Sequence, residues 1–304
     1  MYQFELDLSF LDAFLHAGLM AIFWLGMTVL AAFLGKKHGA KFGGMLVYGV
    51  FAAVLGSFLG RAVYCAVCWY EVFFDYMGNF AGVETFFDPA IGSANVMGVA
   101  AGLLLAAPIA AVITKGKTAA YLDAAAIPAL GMYILARVIE PLTGQGYGDF
   151  MEMYVEVCYV EAILTAIVLG VVIWLGKKVR KPGTLAQYAL VLWALAQIFP
   201  EALRCDNVLY VLVFARVTHL GLACTVGFAL LRLLWQGAKH GLGKKEIVLD
   251  VLGLAAGIGL CIGMIFALDK TNWPKLAVYA GLLLALVELG FVVCRRIAKE
   301  DVAA

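Results

Sequence analysis

Long apolar stretches constrain the fold of this chain more than any other feature. Each is close to the roughly 20 residues that an α-helix needs to cross the hydrocarbon core of a bilayer. The stretches fall at about residues 10–35, 44–70, 93–114, 119–139, 155–176, 184–200, 209–235, 247–268 and 274–294. With 64% hydrophobic and 14% charged residues, the chain has too few polar side chains to cover a water-facing surface. We therefore expect an all-α, polytopic helical bundle embedded in a membrane, with about nine transmembrane helices.

The loops between these stretches alternate in charge. Basic residues follow the odd-numbered stretches, as Lys36, Lys37 and Lys41 follow the first, whereas acidic residues occur in each of the other loops, with Glu71 and Asp75 after the second. Cytoplasmic loops of membrane proteins carry the excess of lysine and arginine. This rule places the N-terminus outside and the C-terminus in the cytoplasm. An odd number of spans satisfies every loop, although the stretch at 184–200 is the least apolar of the nine.

Several ionisable residues interrupt the apolar stretches. Because charge is costly inside a bilayer, each is a candidate for function. Among them are Arg61, Arg137, Glu161, Arg216, His219 and Glu288, with Arg204 directly after the sixth stretch. The predicted topology places all of them except Glu288 in the outer half of the membrane or at its edge. Arginine offers a fixed fork of donors that matches phosphate, and a phospholipid headgroup is the phosphate most available at that depth.

Simpler structural roles compete with this interpretation. Arg137 and Glu140 are three residues apart and could pair with each other, and Arg61 could extend towards the outer interface. His219 could form an interhelical hydrogen bond, although its spacing from Arg216 would place both on one helical face. No stretch resembles a nucleic-acid-binding surface, and we expect no metal and no cofactor.

Short motifs surround the charged residues in a fixed order along the first seven stretches. They read G-R-A-V-Y at 60–64, A-R-V-I-E-P-L-T-G-Q-G-Y-G at 136–148, Y-V-E at 159–161, E-A-L-R-C-D-N at 201–207 and A-R-V-T-H at 215–219. In order and spacing they resemble the prolipoprotein diacylglyceryl transferase family, whose motifs read G-R-x-G-Y, G-R-x-G-N-F-x-N-G-E-x-Y-G, L-Y-E, E-x-L-R-T-D-S and R-V-x-Q. The resemblance covers about residues 10–236.

The chain departs from the family pattern at positions that bear on chemistry. The family's H-G-G-L-I-G is matched by M-G-V-A-A-G at 97–102, so Met97 replaces a histidine. In the longest motif Glu140 and Thr143 replace two asparagines, and Gln145 replaces a glutamate. The family has seven spans. The resemblance therefore implies a seven-span bundle at 1–236, followed at 237–304 by two additional transmembrane helices and a short cytoplasmic tail.

The family transfers the diacylglyceryl group of phosphatidylglycerol to the lipobox cysteine of an exported preprotein, and glycerol phosphate leaves. The resemblance thus implies a transferase of the bacterial cytoplasmic (inner) membrane, with a phosphatidylglycerol-like lipid and a lipobox preprotein as partners. Arg137 and Arg204 keep the family's cationic positions and are the implied catalytic arginines. For the lost histidine we prefer His219, at the position of a family glutamine, as the catalytic replacement, with Glu161 or Glu140 as alternatives. The implied lipid-binding residues are Arg61, Tyr64, Glu140, Gln145, Gly148 and Arg216.

Two other functions stay open at this point. Because the family histidine is lost, the chain could be a non-catalytic relative that binds lipid or lipoprotein. The same arginines could also serve a transporter of small anions. A transferase predicts release of a glycerol phosphate from labelled phospholipid, a binding protein predicts co-purifying lipid without turnover, and a transporter predicts substrate flux in proteoliposomes.

Overall fold

The protein is a bundle of long helices in a computed structural model that describes residues 9–75, 77–87, 94–142, 156–203, 210–212, 215–239 and 243–302. The helices are α1 (Ser9–His38), α2 (Phe42–Val67), the short α3 (Trp69–Phe73), α4 (Val96–Thr114), α5 (Thr118–Leu142), α6 (Val157–Gly176), α7 (Thr184–Leu203), α8 (Val217–Lys239), α9 (Lys244–Lys270) and α10 (Lys275–Val302). A 3₁₀ helix at Val83–Phe87 and the strands β1 (Tyr210–Leu212) and β2 (Ala215–Arg216) complete the described elements.

The predicted polytopic membrane bundle is confirmed. Every apolar stretch of the sequence corresponds to one long helix, and eight of the described helices are long and apolar enough to cross a membrane. The remaining long helix is α7, which covers the least apolar stretch. The total of nine spans and their orientation stay predictions.

The position of α7 explains its lower apolarity. It packs against α5, α6, α8 and α10. Residues along its whole length are buried, among them Leu185, Val191 and Ile198, and so are the polar Gln197 and Glu201. Because protein rather than lipid surrounds much of this helix, its side chains can include polar groups that meet partners on neighbouring helices.

The predicted start of the seventh span is wrong. The sequence indicates a span from about 209, whereas α8 begins at Val217 and part of the preceding segment forms the antiparallel pair β1–β2. The run V-L-Y-V-L-V-F at 208–214 is apolar and rich in β-branched and aromatic residues. Such a run favours a strand, but apolarity alone does not distinguish it from a turn of membrane helix.

Glycines allow α2 and α4 to approach closely. Gly56 and Gly60 on α2 face Gly98 and Gly102 on α4. A Cβ atom at Gly98 would overlap the backbone of Leu59, and one at Gly102 would overlap the backbone of Gly56. Pairs of small residues four apart are a common basis of close helix packing in membranes. The two glycines of M-G-V-A-A-G therefore have a packing role.

The loops at the two ends of the bundle differ. We call the end that carries the loops at 39–41, 115–117 and 177–183 the basic end, and the opposite end, which carries the loop at 68–95, the acidic end. In the acidic-end loop the Asp75 carboxylate accepts hydrogen bonds from the backbone N–H of Met77 and Asn79, each 2.9 Å, and from Asn79 Nδ2 at 3.1 Å. The hydrogen bonds from Asn79 and Met77 lower the pKa of Asp75.

Two buried aspartates organise the basic end. Asp123 of α5 accepts hydrogen bonds from the backbone N–H of Gly183 at 2.6 Å and of Ala186 at 2.9 Å, which caps the start of α7. Asp301 of α10 accepts from the backbone N–H of Arg180 at 3.1 Å and of Lys181 at 2.7 Å. The α6–α7 loop is therefore held by helices on both sides of it.

The last two helices are joined to the rest of the bundle. α10 packs along α7, and residues of α5 to α10 contribute to one apolar core that includes Leu222, Leu282 and Val293. A second core of alanines and tyrosines lies between α1, α2, α4 and α5, with Tyr48 and Tyr121 buried in it. The division at residue 236 rests on the family resemblance and stays a prediction.

Candidate functional site

Arg137 lies near the end of α5 between two carboxylates. Its Nη1 atom is 2.6 Å from Glu140 Oε2, and its Nε atom is 2.7 Å from Glu161 Oε2 on α6. The contact with Glu161 is an ion pair whose N–H direction is not aligned as a hydrogen bond. The side chains of Arg137 and Glu140 are 20% and 26% exposed, and that of Glu161 is 5% exposed. The pairing of Arg137 with Glu140 that their spacing suggests is confirmed.

A chain of hydrogen bonds extends from this ion pair across three helices. The Tyr133 hydroxyl lies 3.1 Å from Glu161 Oε2 and 3.0 Å from Gln197 Oε1 of α7, so it donates its one proton to either. Gln197 Nε2 donates to Thr165 Oγ1 at 2.9 Å, and Thr165 donates to the backbone carbonyl of Glu161 at 2.7 Å. We call Arg137, Glu140, Glu161 and these three side chains the Arg137 network.

Sequence reasoning identified the charged members of this network but missed Tyr133, Thr165 and Gln197. A signal was present, since Thr165 and Gln197 each stand alone as polar residues within apolar runs of α6 and α7. Both are buried, with exposures of 0% and 4%. A buried polar side chain in a membrane helix requires a partner, and here the two residues bond to each other.

The network carries one guanidinium and two carboxyl groups. If both carboxyls are ionised its formal charge is −1, and a proton on either carboxyl brings it to zero. Attraction between opposite charges is stronger in a medium of low dielectric constant. The ion pairs of Arg137 with Glu140 and Glu161 therefore help charged groups to lie within an apolar bundle. A phosphate can approach Arg137 without net repulsion only when one carboxyl is protonated.

His219 lies beside the turn of α7 that contributes to the network. It is partly buried near the start of α8, and its Nε2 atom is 3.4 Å from the backbone carbonyl of Ile198, the residue after Gln197. The prediction that His219 shares a helical face with Arg216 is wrong, because Arg216 lies on β2 and α8 begins one residue later. The spacing therefore gives no reason to link the two side chains.

Met97, which the resemblance aligns with a histidine of the family, fills a contact between helices. It lies in the first turn of α4, where the Asn95 side chain accepts a hydrogen bond of 2.9 Å from its backbone N–H. A Cβ atom at Gly221 of α8 would come within 2.9 Å of Met97 Cγ. The Met97 thioether thus packs against Gly221, which lies two residues after His219 on α8. A thioether at this place cannot take up a proton as a histidine would.

Arg61 holds the acidic-end loop against α2. Its Nε atom donates to the carbonyl of Phe86 at 2.8 Å and its Nη2 atom to that of Thr85 at 2.9 Å, while its guanidinium carbon is 5.6 Å from the centre of the Tyr64 ring. These hydrogen bonds use two N–H groups of the Arg61 guanidinium, which are then not available to a phosphate. The described contacts therefore give Arg61 a structural role, and the predicted lipid-binding role of Arg61 and Tyr64 stays a prediction.

Some predicted site residues lie outside the described part of the chain. They are Arg204, Gln145, Gly148 and the side chain of Arg216, and their roles stay predictions. Within the described residues there is no group of three or more histidine, cysteine, aspartate or glutamate side chains that could hold a metal ion.

No family model matches the chain, and no curated protein matches it significantly. The resemblance to prolipoprotein diacylglyceryl transferases therefore rests on the motifs at 60–64, 136–148, 159–161, 201–207 and 215–219.

Proposed function

We propose that this protein is a phospholipid-dependent transferase of the bacterial cytoplasmic membrane, which moves the diacylglyceryl group of phosphatidylglycerol to an acceptor thiol. One observation supports the proposal above the others. Arg137, which keeps a cationic position of the family, and Glu161, a candidate for the missing base, form an ion pair inside a polar network within an apolar bundle. Such a network is costly in a membrane and favours a functional role.

The proposed chemistry begins with the acceptor thiol. Its proton passes to a carboxylate or to His219, because the thiolate is the nucleophile. The sulfur attacks the glyceryl carbon that carries the phosphate oxygen, so a C–S bond forms and the C–O bond breaks. The electron pair of that bond stays on the phosphate oxygen, and glycerol phosphate leaves with one more negative charge than the diester had. The Arg137 guanidinium offsets this charge.

Glu140 is suited to take the thiol proton if His219 does not. Its side chain is the more exposed of the two carboxyls, at 26% against 5% for Glu161. Protonation of Glu140 brings the network from a formal charge of −1 to zero and weakens the attraction between Glu140 and Arg137. The guanidinium then faces the leaving phosphate at the moment when charge develops there. Proton transfer and phosphate stabilisation are thus coupled in the proposed reaction.

A non-catalytic lipid-binding protein is the second candidate. Two contacts favour it: Met97 packs against Gly221 where the family has a histidine, and Arg137 is already paired with two carboxylates. A protein of this kind would hold a phospholipid or a lipidated peptide without cleaving the phosphodiester.

A transfer assay separates the two candidates. The protein is placed in nanodiscs that contain phosphatidylglycerol labelled in its headgroup, and a lipobox peptide is added. We expect release of labelled glycerol phosphate and a matching increase of the peptide mass by one diacylglyceryl group. We expect His219→Ala to retain bound phosphatidylglycerol and lose transfer, whereas His38→Ala, at the basic end of α1, leaves transfer unchanged.

Other results would contradict parts of the proposal. Phosphatidylglycerol that co-purifies without any release of glycerol phosphate would identify a binding protein. Unchanged transfer by His219→Ala would exclude His219 as the base, and Glu140→Gln then tests the carboxylate route. Lipid-independent flux of small anions into proteoliposomes would indicate a transporter.

A further inference from the structure

The acidic-end loop returns to the side of α2 instead of extending away from the bundle. The Arg61 guanidinium donates to the carbonyls of Thr85 at 2.9 Å and of Phe86 at 2.8 Å. Arg61 lies six residues before Val67, the last residue of α2. The 3₁₀ helix at Val83–Phe87 therefore lies beside the last turns of α2 and not beyond its end.

Contact with Phe58 of α2 fixes the depth of this 3₁₀ helix in the membrane. The rings of Phe58 and Phe86 are 5.7 Å apart between their centres. The charged Lys41, directly before α2, marks the membrane boundary at the basic end. From Phe42 to Phe58 the helix rises about 24 Å, and the hydrocarbon core is about 30 Å thick. Phe58 therefore lies inside the core, and Arg61 lies close to the boundary where hydrocarbon meets headgroups.

Large apolar side chains are exposed on this loop. Five of them are more than half exposed: Trp69, Tyr70, Phe80, Val83 and Phe87. Val83 and Phe87, at 70% and 79%, belong to the 3₁₀ helix itself. The loop is folded, since the backbone N–H of Ala81 donates to the carbonyl of Phe73 at 2.8 Å. Apolar exposure on this scale marks an interaction surface, and tryptophan and tyrosine are enriched where a membrane meets water.

Lipid is the partner that fits this surface. Val50, Val54 and Phe58 are spaced four residues apart on one face of α2 and are 64%, 61% and 52% exposed. An exposed apolar face on a membrane span meets lipid. The contact of Phe58 with Phe86 continues this lipid-facing surface onto the 3₁₀ helix. Glu84 of the same helix is also exposed and needs water, which limits the depth to the interfacial layer.

Arg61 satisfies backbone groups of the 3₁₀ helix at that depth. The last carbonyls of a helix have no partner within it, and at the edge of the hydrocarbon they need one from the protein. Arg61 donates to two of them. We propose that the exposed side chains around this helix form a lipid-binding surface, which inserts into the interfacial layer of the leaflet at the acidic end. Arg61 is the positioning residue that keeps the helix there.

Collisions of a spin label with oxygen and with a water-soluble nickel chelate test the insertion. Val83→Cys, Phe87→Cys and, in the turn at Asp75, Met77→Cys are each made in a Cys224→Ser background, which removes an exposed native thiol. The labelled proteins are placed in nanodiscs of phosphatidylcholine and phosphatidylglycerol, and the background protein alone gives the signal of the other cysteines. Oxygen concentrates in hydrocarbon. We expect the labels at Val83→Cys and Phe87→Cys to favour oxygen and the label at Met77→Cys to favour the nickel chelate.

Two results would overturn the proposal. A preference for the nickel chelate at all three positions would place the whole loop in water. Infrequent collision with both reagents at Val83→Cys and Phe87→Cys would show that protein covers the surface. Neither result depends on the proposed transferase activity, because no acceptor peptide is present.

Arg61→Leu tests the positioning role. The substitution removes the donors to the carbonyls of Thr85 and Phe86, so we expect the label of Phe87→Cys to collide more often with the nickel chelate than in protein that keeps Arg61. Arg232→Leu, at an exposed position of α8, is the control and should leave both collision rates unchanged. Unchanged rates in Arg61→Leu would contradict the role of Arg61. The insertion itself is measured with Arg61 in place, so it is tested even if Arg61→Leu does not fold.

Discussion

Arg137→Met is expected to lower the free energy of unfolding by about 3–5 kcal/mol, the range for removal of one partner of a buried ion pair. The substitution leaves Glu161, whose side chain is 5% exposed, without its guanidinium at 2.7 Å. The Tyr133 hydroxyl, which also contacts this carboxylate, carries no positive charge to balance it. The measurement is an unfolding curve in mixed micelles. Arg232→Met, at an exposed position of α8, is the control and should change stability by less than about 0.5 kcal/mol.

A double variant tests whether the loss comes from the uncompensated charge. Glu161→Leu together with Arg137→Met removes both charges and replaces them with apolar groups. Replacement of a whole buried pair is often close to neutral, so we expect the double variant to be more stable than Arg137→Met alone. Losses that simply add in the double variant would show that Arg137 and Glu161 do not interact energetically.

Gly102→Val is the second substitution for which we expect a large effect. The added side chain would overlap the backbone of Gly56, so α2 and α4 would have to move apart. Overpacking of this kind costs about 1–3 kcal/mol and occasionally more, and we expect a value near the upper limit because backbone atoms cannot rotate away. Separation of α4 would also displace Met97 from Gly221.

A matched control for Gly102→Val is available on α6. A Cβ atom at Gly170 would meet no other atom within 4 Å, so Gly170→Val adds the same side chain without an overlap. We expect its midpoint of thermal unfolding to stay near that of the wild type, whereas that of Gly102→Val falls. Equal midpoints for the two variants would contradict the close packing of α2 against α4.

The long helices could be predicted from sequence because the bilayer imposes a length and an apolar composition on each span. Even α7, whose stretch is the least apolar, lies where the sequence places it. The start of α8 could not be predicted, since the run at 208–214 is as apolar as a span. Its β-branched and aromatic residues favour a strand. That preference identifies β1 only when the partner strand β2 is known.

The candidate site was predictable only in part. Charged residues in apolar stretches are conspicuous, and the spacing of Arg137 and Glu140 indicates their ion pair. The contacts of Glu161 with Arg137 and of Gln197 with Tyr133 join different helices. Hydropathy marks where helices lie along the chain but not which of them are neighbours. For the same reason the small residues at Gly98 and Gly102 do not reveal that α2 is their partner.

The predicted topology places the Arg137 network near the outer surface of the membrane bundle. Labelling of single introduced cysteines with a membrane-impermeant maleimide tests it, with wild-type protein as the control for native cysteines. Met77→Cys lies at an exposed position of the acidic-end loop and Lys117→Cys at an exposed position of the basic end. We predict that Met77→Cys is labelled in intact cells and Lys117→Cys only after permeabilisation. The reverse pattern would place the network at the cytoplasmic surface and contradict the account.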